Sequence, residues 1–162
     1  MENWESEFLQ MFLFVALTAL LYQKGSAESK KLDEPEASDR DPRKSRNKKD
    51  APWPVRQGGI VLKLYENSLS LAFFLLFAIS FLLHAASGAG EYNQDQRLHA
   101  AGEQVTTFGY LATSRFWFES LQNWQSEFLA VGMMVVLSIW LRQRGSPESK
   151  PVDAPHSQTG KG

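Results

Sequence analysis

Residues 3–30 of the chain read NWESEFLQMFLFVALTALLYQKGSAESK, and residues 123–150 read NWQSEFLAVGMMVVLSIWLRQRGSPESK. The second stretch repeats the first in constant register, so that residue 3 matches residue 123 and residue 30 matches residue 150. Each copy begins with polar and aromatic residues, continues as an apolar run and ends in a basic segment that contains glycine. This order is typical of a membrane helix with its two interfaces, and it predicts an internal repeat of two such helices.

A third apolar block, LSLAFFLLFAISFLLHAA, occupies residues 69–86. Asn67 and Ser68 precede the block and can cap a helix, while Gly88 and Gly90 follow it and are expected to end that helix. The sequence therefore predicts an all-α integral membrane protein with three transmembrane helices. These helices are predicted at about residues 4–23, 68–86 and 117–142.

The first block leaves two alternatives, a cleaved signal peptide and an amphipathic surface helix. Glu2, Glu5 and Glu7 lead into this block without a Lys or Arg, whereas a secretory leader begins with positive charge. Residues 11–21 are apolar all round except at Thr18, whereas a surface helix needs a polar face. Both patterns favour a membrane-spanning helix.

The connecting segments differ sharply from the apolar blocks in composition. Residues 31–57 alternate charges and prolines with few apolar side chains, and such a segment cannot bury enough surface to offset its chain entropy. We therefore predict a disordered cytoplasmic linker at 31–57 and a disordered tail at 151–162. The other predicted parts are an N-terminal repeat helix within 1–30 and a two-helix membrane unit at 58–150, with an extracytoplasmic connection at 87–115.

Basic residues predict the orientation of the chain. Lys and Arg are concentrated in the linker and after the third block, whereas the connection at 87–115 has only Arg97 and Arg115. Positive charge stays cytoplasmic, so we expect a bacterial inner-membrane protein with its N-terminus outside and its C-terminus cytoplasmic. Acidic residues interleave with the basic ones of the linker, which favours anionic lipid headgroups over nucleic acid as its contact. A membrane-protein partner or a second copy of the chain is the other expected contact.

Matching polar residues at the start of both repeats are the candidate ligand or ion sites. Asn3 lies one helical turn before Glu7, and Asn123 lies one turn before Glu127, so each pair shares a helix face. A carboxylate near the membrane boundary is costly unless it is hydrated or hydrogen-bonded. The alternative for both carboxylates is a solvated helix-start position that the helix dipole favours. His84 is a further candidate, with a partly solvated position at the interface as its alternative.

Tryptophan residues are expected to anchor the helices in the headgroup region. The predicted anchors are Trp4, Trp117, Trp124 and Trp140.

The sequence gives no specific sign of a metal, a cofactor or an enzyme. Glu91, Asp95 and His99 recur at four-residue spacing, but this pattern is too loose to set against a solvated helical turn. The chain has no cysteine, which excludes disulfides and thiol chemistry, and it has no nucleophile or phosphate-binding motif. We therefore expect no cofactor, no metal and no enzymatic activity.

The motif NWQSEFLAVGMMVVLSIWLRQRGSPESK resembles the closing segment of a family of small bacterial inner-membrane proteins that is defined only by a domain of unknown function. Upstream, YENSLSLAFFLLFAISFLLHAASG and EYNQDQRLHAAG resemble the first helix and the loop of that family. The resemblance covers residues 65–150, and residues 3–30 resemble a detached second copy of the closing helix. It implies no activity, cofactor or catalytic residue.

Two functions follow from these patterns. The first is a small integral membrane protein that acts through helix association, as an accessory or structural component of the envelope. Small side chains such as Ala16, Ala19, Ala130 and Gly132 would allow close helix contact. The alternative is an oligomeric unit for proton or cation permeation or transport that uses Glu7 and Glu127.

Overall fold

The computed structural model describes residues 2–31, 37–99, 104–146 and 148–160. Within these ranges the chain is all-helical and contains no strand, which confirms the predicted all-α class. Short 3-10 turns lie at Ala37–Asp39 and Pro42–Ser45. The α-helices are α1 (Glu2–Leu20), α2 (Trp53–Gln57), α3 (Gly59–Glu66), α4 (Ser68–Leu98), α5 (Thr107–Tyr110) and α6 (Ser114–Leu137).

Helix α4 has the character of a membrane span. It contains 31 residues, which corresponds to about 46 Å at the α-helical rise. Among the described residues it is the one helix whose length and apolar composition suffice to cross a bilayer. Most of its large apolar side chains, such as Leu75 and Ile79, are exposed, in contrast to a core helix of a soluble protein.

The prediction that Gly88 and Gly90 end α4 is wrong, because the helix continues to Leu98. Neither glycine adopts a positive φ, so neither acts as a helix-ending residue. Gly88 instead makes room for an aromatic ring: a Cβ atom at this position would lie 2.9 Å from Cζ of Tyr110. Tertiary packing therefore explains the glycine that the sequence pattern assigned to a helix end.

The chain divides into two compact units. Unit 1 comprises Met1–Leu13 and Ala72–Val131, and unit 2 comprises Phe14–Leu71 and Gly132–Gly162. The core of unit 1 is aromatic and small-residue packing between α4, α5 and α6. Its buried members are Ala85, Ala89, Tyr110 and Phe116, against which Phe81, Tyr92, Val105 and Leu111 pack.

Side-chain contacts within unit 1 show that α4 runs antiparallel to α1. Glu5 near the start of α1 contacts His84 of α4, with 2.7 Å between the paired atoms. Further along α1, Phe12 packs on Phe74 with ring centroids 5.4 Å apart. As residue numbers rise along α1, the numbers of the residues that they contact on α4 fall, so the two helices run in opposite directions.

Helix α6 runs parallel to α1 in the same unit. The Asn123 amide donates to the carboxylate of Glu2 over 3.2 Å, and the Gln10 amide donates to the backbone carbonyl of Glu127 over 3.0 Å. Residue numbers therefore rise together along both helices.

Unit 2 contains two turns with the same local geometry. Gly25 has φ of 83°, the amide of Gln23 donates to Ser29 Oγ over 2.9 Å, and the amide of Glu28 donates to Ser26 Oγ over 3.2 Å. In the second turn, Gly145 also has φ of 83°. The amide of Gln143 donates to Ser149 Oγ over 2.9 Å, and the amide of Glu148 donates to Ser146 Oγ over 3.1 Å.

The C-terminal tail, which the sequence predicts to be disordered, makes specific contacts in unit 2. The buried ammonium of Lys150 donates to the carbonyl oxygens of Gly25 at 2.6 Å, Gln158 at 2.9 Å and His156 at 3.1 Å. The amide of Gly25 in turn donates to Thr159 Oγ1 over 3.0 Å. The predicted linker lies partly outside the described residues, and its described part carries the two 3-10 turns and α2.

Candidate functional site

The imidazole of His84 lies between carboxylates from two other helices. His84 is 1% exposed, and its Nδ1 lies 2.7 Å from Oε2 of Glu5. Its Nε2 lies 3.4 Å from Oε2 of Glu119 and 3.8 Å from Oε1 of Glu2. The ring stacks on Phe116 at a centroid distance of 4.8 Å. We call the side chains of Glu2, Glu5, His84 and Glu119 the polar centre.

Glu5 is the most deeply enclosed carboxylate of the polar centre. It has no exposed surface, and both of its oxygens have partners. Oε2 meets His84, and Oε1 accepts a hydrogen bond from the indole Nε1 of Trp124 over 3.2 Å. A buried carboxylate is tolerated when it is paired and hydrogen-bonded in this way, so Glu5 fixes the orientation of the imidazole.

Glu119 accepts hydrogen bonds from two donors, one on α5 and one on α6. The Tyr110 hydroxyl donates to Oε2 over 2.7 Å, and Arg115 Nε donates to Oε1 over 3.0 Å. Arg115 also donates to Oδ2 of Asp95 over 2.7 Å. Glu119 therefore keeps a defined position beside the imidazole, and its charge is only partly balanced because Arg115 is shared with Asp95.

Tyr110 connects the apolar core of unit 1 to the polar centre. Thr106 caps the short helix α5 by accepting from the amide of Gly109 over 3.0 Å, which sets the position of Tyr110 at the end of that helix. The residue is 1% exposed. Burial and the hydrogen bond to Glu119 raise the pKa of its hydroxyl above the ordinary value. Tyr110 thus remains a hydrogen-bond donor to Glu119 throughout the neutral pH range.

Glu2 forms the open side of the polar centre. Its side chain is 42% exposed, and its Oε2 accepts a hydrogen bond from the Asn123 amide over 3.2 Å. Its Oε1 is directed toward His84 Nε2. Of the three carboxylates around the imidazole, Glu2 is therefore the one that solvent or an ion reaches most easily.

The structure brings together only some of the residues predicted from the repeat. His84 and Asn123 belong to the polar centre or contact it. Asn3 and Glu7 are exposed on α1, and Glu127 is half-buried on α6. The backbone carbonyl of Glu127 accepts a hydrogen bond from the Gln10 amide.

The four predicted tryptophan anchors also occupy different environments. Trp4 and Trp140 are exposed, at 57% and 56%. Trp117 donates to the backbone carbonyl of Leu111 over 2.9 Å. Trp124 instead lies beside the polar centre, where its indole Nε1 donates to Glu5. Its ring packs edge-on against Phe77, with the ring centroids 6.5 Å apart.

Sequence reasoning missed Glu2, Glu5 and Glu119 as site residues. One signal was present for the first two, since a spacing of three residues places Glu2 and Glu5 on the same helix face. The loose trio of Glu91, Asp95 and His99 does not form the site. Among the described residues, the group whose atoms could together hold a metal ion is Glu2, His84 and Glu119.

Comparison with known families identifies a family for the chain, but that family has no known activity. A family model described as a domain of unknown function (DUF6766) matches residues 1–161. The match includes the N-terminal helix, which the sequence resemblance treated as a detached extra copy. No curated protein and no solved structure matches the chain.

Proposed function

Because the chain belongs to the DUF6766 family, whose function is unknown, we propose its function from the site itself. The protein is an integral membrane protein of the bacterial inner membrane that binds a cation in the polar centre. The observation that carries this proposal is His84, buried on the apolar helix α4 and flanked by carboxylates from α1 and α6.

Three spans agree with the directions of the helices. In unit 1, α4 is antiparallel to α1 while α6 is parallel to it, which is the pattern that three consecutive crossings require. Helix α1 has 19 residues, or about 28 Å at the α-helical rise, close to the thickness of the hydrocarbon layer. Exposed apolar side chains on α6, such as Leu129 and Met133, suit contact with lipid.

Topology is tested by labelling single cysteines in intact cells, which is straightforward because the chain has no cysteine of its own. The exposed positions Ser38, Gln94 and Ser157 provide three probes. We expect a membrane-impermeant maleimide to label Gln94→Cys from outside, and to label Ser38→Cys and Ser157→Cys only after lysis. Labelling of all three from one side would contradict three spans.

Charge imbalance is the physical argument for a bound cation. Glu2, Glu5 and Glu119 surround one imidazole, and Arg115 divides its charge between Glu119 and Asp95. Glu5 and Glu119 are largely shielded from water, so the repulsion between their charges is screened less than at an open surface. A cation on the open side at Glu2 would lower that repulsion.

The cation-binding proposal is tested by thermal unfolding of the detergent-purified chain against a panel of ions. A ligand that binds only the folded state raises the midpoint in a concentration-dependent way. We expect at least one ion among Na⁺, K⁺, Ca²⁺, Mg²⁺, Mn²⁺ and Zn²⁺ to stabilise the wild type and Glu7→Gln, and to have a weaker effect on Glu2→Gln. The absence of any ion effect, or an equal effect in Glu2→Gln, would overturn the proposal.

Helix association as an accessory envelope component is the second candidate function. It is favoured by the large apolar side chains that remain exposed along α4, including Leu75, Leu76, Ile79, Leu82 and Leu83. Contiguous apolar surface of this kind suits either lipid or another membrane helix. Mass measurement in mild detergent separates the two contacts: a monomer argues for lipid, and a defined oligomer argues for association.

A further inference from the structure

Three side-chain atoms of the polar centre lie near the spacing of metal ligands. His84 Nε2 lies 3.4 Å from Oε2 of Glu119 and 3.8 Å from Oε1 of Glu2. All three atoms lie within 4.8 Å of one another. Ligands at about 2.0–2.2 Å from a tetrahedral ion are about 3.3–3.6 Å apart. The three atoms could therefore bind one ion with only small side-chain movement.

The surrounding hydrogen bonds are those that orient metal ligands. The other imidazole nitrogen, Nδ1, is held by Glu5 at 2.7 Å, which leaves Nε2 directed at Glu2 and Glu119. Tyr110 holds the Glu119 carboxylate, and Asn123 holds the Glu2 carboxylate. In metalloproteins, a carboxylate on the far nitrogen of a ligating histidine and hydrogen bonds to ligating carboxylates are the usual supports.

From this arrangement we propose that the cation of the polar centre is a divalent first-row transition-metal ion, ligated by Glu2, His84 and Glu119. The inference rests on the proposed cation-binding function and specifies its ligand class. One imidazole nitrogen with two carboxylate oxygens suits Zn²⁺, Mn²⁺ or Fe²⁺ better than an alkali ion. Three protein ligands leave at least one position for water or another small ligand, and the exposed side of Glu2 gives an ion a path to the site.

Binding of Co²⁺ and Zn²⁺ to the full-length, chelator-treated protein in detergent tests the inference. The visible absorption of bound Co²⁺ reports coordination, and competition with Zn²⁺ gives the affinity. We expect one Co²⁺ per wild-type chain and at least about tenfold weaker binding by Glu2→Gln and His84→Gln. Tyr110→Phe removes a supporting hydrogen bond only, and it should weaken binding by about tenfold or more.

Two control variants separate this site from adventitious binding. Glu7→Gln removes an exposed carboxylate from the helix that carries Glu2, and His99→Gln removes an exposed histidine that directly follows α4. Both should bind Co²⁺ as the wild type does. If His84→Gln fails to fold, the partly exposed Glu2 keeps the test decisive through Glu2→Gln.

The possible outcomes distinguish the inference from the function on which it rests. Absence of stoichiometric Co²⁺ binding, together with stabilisation by Na⁺, K⁺ or Ca²⁺, would overturn the metal inference and leave the cation-binding proposal standing. Binding of Co²⁺ that is unchanged in Glu2→Gln would also overturn the metal inference. No response to any ion would overturn both.

Discussion

Gly88 and Gly90 provide a matched test of how α4 packs, because both lie in the same helix two residues apart. A Cβ atom at Gly88 would lie 2.9 Å from Cζ and 3.0 Å from the hydroxyl oxygen of Tyr110, whereas one at Gly90 would meet nothing within 4 Å. Replacing a helical glycine by alanine gains about 0.5–1 kcal/mol from helix propensity at either site. Gly88→Ala additionally overpacks a buried ring, which costs about 1–3 kcal/mol.

The difference between the two variants isolates the packing cost, because the propensity gain is common to both. We expect Gly90→Ala to be more stable than the wild type, and Gly88→Ala to be less stable than Gly90→Ala by about 1–3 kcal/mol. Denaturant unfolding of the detergent-purified chain, followed by circular dichroism, measures both values. Equal stability of the two variants would refute the placement of Tyr110 against Gly88.

Three further predictions concern buried polar groups. Glu5→Gln should lower the free energy of unfolding by about 3–5 kcal/mol because it breaks a buried charge pair, whereas Glu7→Gln should have no measurable effect in the same unfolding assay. The raised pKa of Tyr110 adds stability that is complete below the unfolded pKa of about 10 and is lost as pH rises above it. Unfolding at alkaline pH should therefore show a larger loss of stability in the wild type than in Tyr110→Phe. Lys150→Met removes the donor to the buried carbonyl of Gly25 and to the carbonyls of His156 and Gln158. It should therefore cost about 1–3 kcal/mol and speed proteolysis of the tail, whereas Lys30→Met, the repeat-matched control, should not release the tail.

The polar centre shows why the repeat was a poor guide to the site. Matching residues drew the prediction to Glu7 and Glu127, which are the same in both copies. The residues that contact His84 include Glu2 and Glu5, and the second copy has Gln at both equivalent positions. The site therefore depends on the difference between the copies, which a search for identical residues passes over.

Glu119 could not have been assigned from the sequence alone. It lies 35 residues after His84, and only the path of the chain through α5 brings it back to the imidazole. The same path places Tyr110 against Gly88 and removes the helix-ending role that the local pattern gave to that glycine. Long-range packing, which single-sequence patterns do not contain, decides both cases.

Local signals succeeded where neighbouring residues determine the structure. The apolar composition of residues 69–86 correctly predicted a helix, because leucine and alanine favour it and no proline interrupts it. Gly25, in the turn that follows α1, adopts a positive φ that glycine tolerates without steric cost. Helix propensity and turn residues could therefore be predicted from the sequence, whereas the contacts among α1, α4 and α6 could not.

Thiol-specific cross-linking of paired cysteines in native membranes shows whether α1 and α6 run side by side at the polar centre. Glu2 and Asn123 contact each other across these helices at 3.2 Å, and the absence of native cysteine makes any cross-link unambiguous. The parallel arrangement predicts that a short bismaleimide, whose spacer replaces the length of the two side chains, links Glu2→Cys to Asn123→Cys more efficiently than Glu2→Cys to Ala130→Cys, about 10 Å further along α6. Preferential cross-linking of the second pair, or none for the first, would contradict the parallel placement of α1 and α6.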